Sequence, residues 1–298
     1  MGRRGGEWGY RETEPSPPIF TDRIGSLPAE PQAEPIPALS GREIGNPIRS
    51  TLSILLPALN EEQGIERVIQ AIPRRQLELQ GLAYRVYLLD GKSTDRTRAV
   101  ARRMGAEVVV QTGNGKGAAF REFLPQLKAD ITVILDSDGT YPPEMIPQLV
   151  AALGERSPVV LGSRFRESWM DDGAMSLVNQ VGNRLLSSFA SFLFRTPVSD
   201  VCSGMWAFRS DRLKSLDLTA ERFELEVDIF AECALRHIPI AEIAIPYRKR
   251  VGERKLRLRD GLRIGLVLLK KRIRSPFHGP ENGRMDPLAP MIGFGQGG

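Results

Sequence analysis

At 298 residues, with 41% hydrophobic and 26% charged residues, the chain suits one sizeable soluble domain with appendages. No apolar run approaches the roughly 18 residues of a bilayer span, and the start, Met1 to Glu7, lacks an apolar segment, so no signal peptide is expected. Two cysteines (Cys202, Cys233) imply no disulfide framework and a reducing cytoplasm, while two histidines (His237, His278) leave little for a histidine-based zinc site or nucleophile relay. The net charge of +5 is uneven: Arg248 to Arg274 holds twelve Lys or Arg against Glu253 and Asp260, a balance of +10. A block that basic suggests an anionic partner, whether a phosphate, a nucleic acid or a lipid surface.

Residues 1–48 carry eight prolines and little apolar periodicity, which predicts a disordered or loosely docked arm; the tail at 275–298 reads the same way. Between them, 49–261 reads as one α/β domain and 262–274 as a basic amphipathic helix. The domain opens with a short buried strand, Leu52 to Pro57, followed by a helix carrying Ile65, Val68, Ile69 and Ile72, with Asn60 as its N-cap. A second strand, Tyr84 to Leu89, ends in Asp90, and Ser93 or Thr94 is expected to cap a helix through Met104, stopped by Gly105. Glu107 to Val110 is a third strand, and the loop Thr112 to Ala118 leads into a helix through Leu127. The fourth strand, Ile131 to Leu135, runs straight into Asp136-Ser137-Asp138-Gly139, after which Pro142-Pro143 starts a helix at Glu144. A fifth strand covers Val159 to Arg164. Such alternation builds a mostly parallel, doubly wound sheet with helices on both faces.

Further on, Ser176 to Phe194 reads as a helix with an apolar face of Leu177, Val181, Leu185, Phe189 and Phe192. Asp200 to Arg209 is a loop running into a strand, Phe223 to Asp228 begins a helix, and Ile240 to Tyr247 is a strand. The segment 262–274 places Leu262, Leu266, Leu269 and Ile273 on one stripe amid Arg263, Lys270, Lys271 and Arg274. Such a stripe either packs on its own domain or rests on an anionic membrane.

The chemistry gathers where strands end. Asp136 and Asp138, at i and i+2 where a strand frays, can close on one hard divalent cation, Mg²⁺ or Mn²⁺. In isolation this is a polar turn; at the carboxyl end of a central strand it is where open α/β sheets bind ligands. Glu61 and Asp90 are acceptors suited to base N–H groups or ribose hydroxyls. Lys116, between glycines before a helix, can meet phosphate as a point charge. The loop is no Walker A, since Gly117 and Ala118 follow the lysine.

These residues resemble an ordered signature. Pro57-Ala-Leu-Asn-Glu61, Asp90 to Thr97, Gly115-Lys-Gly117 and Asp136-Ser-Asp138 are similar to those of family 2 glycosyltransferases, which have the GT-A fold. The resemblance implies that Pro57, Glu61 and Asp90, with Asn60, Lys116 and Ser137 beside them, bind the nucleotide of a sugar-nucleotide donor. It also implies that Asp136 and Asp138 hold Mg²⁺ or Mn²⁺ on its diphosphate. Many members carry a second aspartate where this chain has Gly91, so base preference does not transfer. Residues 160–260 resemble the polyprenyl-phosphate branch, the dolichyl-phosphate mannosyl- and glucosyltransferases. The matching residues are Gly162-Ser-Arg164, Gly182-Asn183, Asp200 to Arg209, and Arg250 to Leu256, where Arg254 replaces a usual serine.

The expectation is therefore an inverting, metal-dependent hexosyltransferase acting from UDP-glucose or GDP-mannose onto a polyprenyl phosphate. It would sit in the cytoplasm or peripherally at the membrane. A phosphate acceptor is ionised at pH 7 and needs cations rather than a base, which nominates Arg164, Arg250 and Lys255, with Asp138 at the catalytic metal. A hydroxyl acceptor would need a carboxylate base, for which Glu224, Glu226 or Asp228 would serve. The alternatives are a soluble acceptor such as phosphoglycerate, or a non-catalytic module docking on membranes or other anions. Nucleic acid is not expected, because the basic block lacks interleaved aromatics apart from Tyr247.

Overall fold

The computed structural model describes residues 50–166, 169–252 and 258–274, so the expected arm, tail and Lys255 lie outside the described residues. The elements run β1 (Ser50–Ala58), α1 (Glu62–Gln70), α2 (Arg74–Leu79), β2 (Leu82–Asp90), α3 (Thr97–Arg103), β3 (Glu107–Val110), α4 (Lys116–Phe123) and β4 (Ile131–Leu135). There follow α5 (Ile146–Ala151), β5 (Val159–Ser163), α6 (Leu177–Phe194), β6 (Met205–Arg209), α7 (Ser210–Lys214), α8 (Leu225–Leu235), β7 (Ile240–Ala244) and α9 (Leu258–Arg274).

The strands form one sheet in the order β3-β2-β1-β4-β6-β5-β7. Every neighbouring pair is parallel except those of β6, which runs antiparallel to both β4 and β5. That reversal matters for the site. Met205 pairs with Leu135, so the amino end of β6 lies at the carboxyl edge of β4. The loop Asp200–Gly204 thereby joins the loops after β1, β2 and β4.

Alternate side chains of each strand enter separate cores, as the two-residue period requires. Leu55, Leu89, Ile134, Trp206 and Phe208 pack on one face with Phe120 of α4, Ala190 and Phe194 of α6, Phe230 of α8 and Leu268 of α9. Leu52, Ile54, Leu56, Val133 and Met205 pack on the other with Ile65 and Val68 of α1, Ala101 of α3 and Leu149 of α5. Both faces are covered, which is why β1 and β4 read as near-continuous apolar runs, interrupted only by the buried Ser53 and Thr132.

Several local expectations need correction. Asn60 does not cap α1: it sits in the left-handed region (φ 51°), and Glu61 takes the cap position without a side-chain bond. Asn60 instead accepts the Thr94 N–H through Oδ1 at 2.8 Å and donates its own N–H to Ser93 Oγ at 2.9 Å. An N-cap residue takes an extended backbone, which the left-handed φ of Asn60 precludes. Neither Ser93 nor Thr94 caps α3; that helix begins at Thr97, whose N–H is taken by Asp95 Oδ1 at 3.0 Å. Pro143–Met145 forms a 3₁₀ turn before α5 begins at Ile146. The last strand stops at Ala244, and Tyr247 makes only an isolated bridge to Met170.

Candidate active site

Parallel pairing aligns Ala58 with Asp90 and Leu55 with Ile134, so the loops after β1, β2 and β4 leave the sheet together. They are then cross-tied. Ser137 Oγ donates to the Pro57 carbonyl at 2.7 Å, and Thr97 Oγ1 accepts the Glu61 N–H at 2.8 Å. Gly64 is needed here, because a β-carbon would overlap the Ser137 carbonyl. The predicted Pro57, Asn60, Glu61, Asp90, Ser137, Asp136 and Asp138 therefore share one edge of the sheet.

Asp90 is fully buried. Its Oδ2 accepts the N–H groups of Lys92 and Ser93, each at 3.1 Å, while Oδ1 has no hydrogen-bond partner among the described residues. An orphaned carboxylate oxygen is costly in a native site unless a ligand donor completes it. A base or ribose N–H or O–H has that chemistry.

Asp138 is held rigidly. Its Oδ1 accepts from Thr140 N at 3.0 Å and Thr140 Oγ1 at 2.6 Å, and its Oδ2 faces Arg250 Nη1 at 3.0 Å. The same guanidinium reaches Glu61 Oε1 through Nη2 at 3.0 Å. Asp136 is paired differently: Lys116 Nζ lies 2.5 Å from its Oδ1 and also contacts Glu226 of α8. Burial alone would lower the Lys116 pKa, yet the two carboxylates hold it above the usual lysine value. Burial pushes the Glu226 pKa up despite that lysine.

The helix end that Lys116 opens is not an open anion cradle. The first N–H groups of α4 are taken by chain: Gly117 N donates to the Arg222 carbonyl at 3.2 Å and Ala118 N to the Glu221 carbonyl at 3.0 Å. Gly115 and Gly117 permit that approach, since a β-carbon at either would collide with the 220–222 backbone. The glycines serve packing here, and the lysine side chain pairs with Asp136 and Glu226.

The residues fit a divalent cation of the Mg²⁺ or Mn²⁺ kind. Asp136 and Asp138 leave one turn two residues apart, and Gly204 leaves space at Asp136 Oδ2 that a β-carbon would fill. Among the described residues no group of three or more His, Cys, Asp or Glu converges, so the remaining ligands would be water and diphosphate oxygens, as Mg²⁺ prefers. Gly204→Ala is expected to lower turnover about 10²-fold by turning Asp136, with the fold retained. Initial rates and a thermal melt on the same sample check it.

Arg164 is buried and forked onto Asp200, with Nε to Oδ2 at 2.7 Å and Nη2 to Oδ1 at 2.6 Å. Its guanidinium lies over the rings of Tyr247 at 5.1 Å, Phe165 at 5.4 Å and Tyr141 at 5.8 Å. Burial opposes its charge, but Asp200 holds the pKa above the ordinary arginine value. Asp200→Asn should destabilise the fold by about 3–5 kcal/mol by stranding that cation, measured by urea unfolding; a loss below about 1 kcal/mol contradicts the assignment. Arg164 also lines a cleft of about 250 Å³ with Phe165, Asp171, Asp172, Gln180 and Arg184. Arg184, exposed and stacked 5.0 Å from the Phe165 ring, was not singled out from the sequence. Thr140, Tyr141 and Gly204 escaped too; only the Pro142-Pro143 turn and the 200–209 motif hinted at them. A larger cleft of about 570 Å³ lies at the amino ends of β2 and β3 and contains none of the predicted site residues.

The acidic trio of α8 is spoken for. Glu224 pairs with Arg263 at 3.1 Å, Glu226 with Lys116, and Asp228 accepts from Thr219 N and Ala220 N while facing Lys271 at 2.8 Å. A general base for a hydroxyl acceptor gains no support from them.

The outer helices differ from a packed pair. α6 has one charged residue, Arg184, and is apolar on both sides. Ala190 and Phe194 face the core, while Leu177 (77% exposed), Val178, Val181, Leu185, Phe189 and Phe192 (82%) face outward. α9 lies beside it: Arg272 Nε donates to the Leu193 carbonyl at 3.2 Å. On α9, Ile264 and Leu268 are buried, whereas Leu266, Leu269 and Ile273 of the predicted stripe are exposed. Arg263, Lys270 and Arg274 edge that stripe in the open, and Lys271 turns inward to Asp228 and Glu232. The Leu262 side chain lies outside the described residues. No helix among them is long and apolar enough to cross a membrane.

Comparison with known proteins bears on this arrangement. A family profile described as Glycosyl transferase family 2 matches residues 53–216. Glycosyltransferase AglJ of Haloferax volcanii is 34% identical over 238 residues, covering 78% of this chain and 75% of that one. A dolichyl-phosphate hexose transferase of the same organism is 34% identical over 220 residues, covering 74% of this chain and 92% of that one. Among solved structures, glucosyl-3-phosphoglycerate synthase of Mycobacterium tuberculosis, in complex with Mn²⁺, UDP-glucose and glycerol 3-phosphate, matches with a TM-score of 0.58. Its identity is 28%, over 77% of this chain and 82% of that chain.

Proposed function

The chain belongs to glycosyltransferase family 2, as a hexosyltransferase of GT-A fold, and from that premise we propose that it transfers a hexose from UDP-glucose or GDP-mannose to a polyprenyl phosphate. The observation that carries the lipid acceptor is the outward apolar face of α6 and α9, edged by Arg263, Lys270 and Arg274. An exposed apolar face marks a membrane or protein contact, and its basic edge favours an anionic membrane. In this reading the chain works from the cytoplasmic face of the membrane, with 49–261 as catalytic domain and 262–274 as part of the contact. The name of the dolichyl-phosphate hexose transferase relative supports the same acceptor class.

In this mechanism Asp90 accepts from the base or ribose, and Glu61 and Ser137 position the turn around the nucleotide. Asp136 and Asp138 would hold Mg²⁺ or Mn²⁺. When bound, the cation neutralises charge on the departing diphosphate. Arg184, backed by Arg164, presents a cation to the acceptor phosphate, with Arg250 and Lys255 as further candidates. The phosphate oxygen forms a bond to the anomeric carbon as the bond to the diphosphate oxygen breaks. The electron pair leaves with the nucleoside diphosphate, and the configuration inverts. The acceptor is already ionised, so no side chain removes a proton.

A second reading, transfer to a soluble acceptor such as phosphoglycerate, draws on the likeness to glucosyl-3-phosphoglycerate synthase. The test is purified protein with Mn²⁺, labelled UDP-glucose or GDP-mannose, and either polyprenyl phosphate or 3-phosphoglycerate. Label entering the organic phase is expected. Label confined to water-soluble phosphoglycerate product would overturn the lipid assignment.

A further inference from the structure

Four carboxylates and two cations crowd the donor edge, and their pairing is specific. Lys116 ties Asp136 of the β4 loop to Glu226 of α8; Arg250 ties Asp138 of the same loop to Glu61 after β1. Each acid of the expected metal pair therefore already has a positive partner from another part of the chain. We propose that Lys116 and Arg250 are resident counter-ions that make this site refuse a bare divalent cation and admit it only as its complex with a nucleoside diphosphate. The inference rests on the metal–nucleotide reading above and adds what selects the form in which the ion enters.

A bare divalent ion would have to evict two single positive charges, gaining no net charge at the acids. It would strand a lysine whose side chain is only 12% exposed, with Glu226 as its remaining partner. Water is a poor substitute for a carboxylate at such burial. A metal diphosphate brings its own anionic oxygens. Lys116 and Arg250 can then exchange carboxylate for phosphate, and each acid exchanges its ammonium or guanidinium partner for the metal. Arg250 has spare capacity for this, since its buried Nε makes no hydrogen bond among the described residues. The 248–252 segment is anchored independently of the guanidinium: Arg248 N donates to the Thr140 carbonyl at 2.8 Å and Val251 N to the Asp138 carbonyl at 3.0 Å. The side chain can swing while its backbone stays beside the site.

The consequence is a pair of effects of opposite sign. In calorimetric titrations of the full chain, Lys116→Met should raise affinity for MnCl₂ alone about tenfold and lower affinity for MnCl₂ plus UDP about tenfold. A tenfold change is the scale of a single charge-assisted hydrogen bond. Arg250→Gln should behave in the same way, which keeps the test open if the Lys116 variant folds poorly by circular dichroism. Unchanged or weakened binding of Mn²⁺ alone in the folded variants, with wild-type Mn²⁺–UDP binding intact, overturns the counter-ion role while leaving the functional reading standing. Wild-type protein that binds Mn²⁺ neither alone nor with UDP overturns both.

Discussion

Replacing Asp138 by Asn is expected to lower kcat/KM for hexosyl transfer by about 10³-fold or more, because a metal's stabilisation of a departing diphosphate amounts to several kcal/mol. The effect should exceed that of any other substitution at this edge. Asp138 is fixed by two bonds from Thr140 and is almost fully buried, so its carboxylate arrives pre-oriented. Asn keeps the shape and still accepts the Thr140 O–H through its carbonyl oxygen, but it carries no charge. Melting temperature should change little, which separates lost chemistry from lost fold. Chelation with EDTA should abolish wild-type turnover, and excess Mn²⁺ should restore it. Asp138→Asn protein with turnover within threefold of wild type would remove the carboxylate pair from the mechanism.

The second large effect concerns the acceptor side. Phe189→Glu together with Phe192→Glu is expected to reduce transfer to polyprenyl phosphate in anionic vesicles about 10²- to 10³-fold. Burying a phenylalanine side chain in an apolar phase is favourable by about 1.5–3 kcal/mol, and the new charges oppose an anionic surface besides. Both residues point away from the core on α6, so the fold and Mn²⁺–UDP binding should persist. Sedimentation with phosphatidylglycerol vesicles reads the loss directly. Three exposed cations on α9, each worth about 1 kcal/mol at such a surface, make neutral vesicles the weaker binders. If the double variant sediments and turns over like wild type, the face serves another purpose; concentration-dependent light scattering then asks whether a second copy covers it.

How much of this was legible in the chain depended on the kind of signal. β1 and β4 announce themselves because an apolar run covered on both faces ends abruptly in Asn-Glu or Asp-Ser-Asp, and β2 because Val86 to Leu89 ends in Asp-Gly. That change of polarity marks both the sheet edge and the site. The direction of β6 was not readable. Met205 to Arg209 is a five-residue run without orientation, and only pairing with β4 and β5 shows it reversed. With the reversal went Gly204, whose missing β-carbon makes room for Asp136.

The closed helix end beside Lys116 was hidden for a related reason. Glycines flanking a lysine ahead of a helix look like an anion loop, yet the groups that fill the helix end come from residues 220–222, about a hundred positions downstream. Asn60 had the right residue type for a cap and a better partner in Thr94 across the groove. On α6 and α9 periodicity located apolar stripes correctly but not the side they face. Both helices carry a second apolar stripe that meets the core, and a stripe alone does not say which one is covered.

The most direct measurement is anomalous scattering from crystals soaked with Mn²⁺ and UDP. A single strong manganese peak within bonding distance of Asp136 and Asp138, with Lys116 and Arg250 turned onto phosphate oxygens, is the predicted result. Manganese elsewhere, or nucleotide bound while Lys116 still sits on Asp136, would contradict the account.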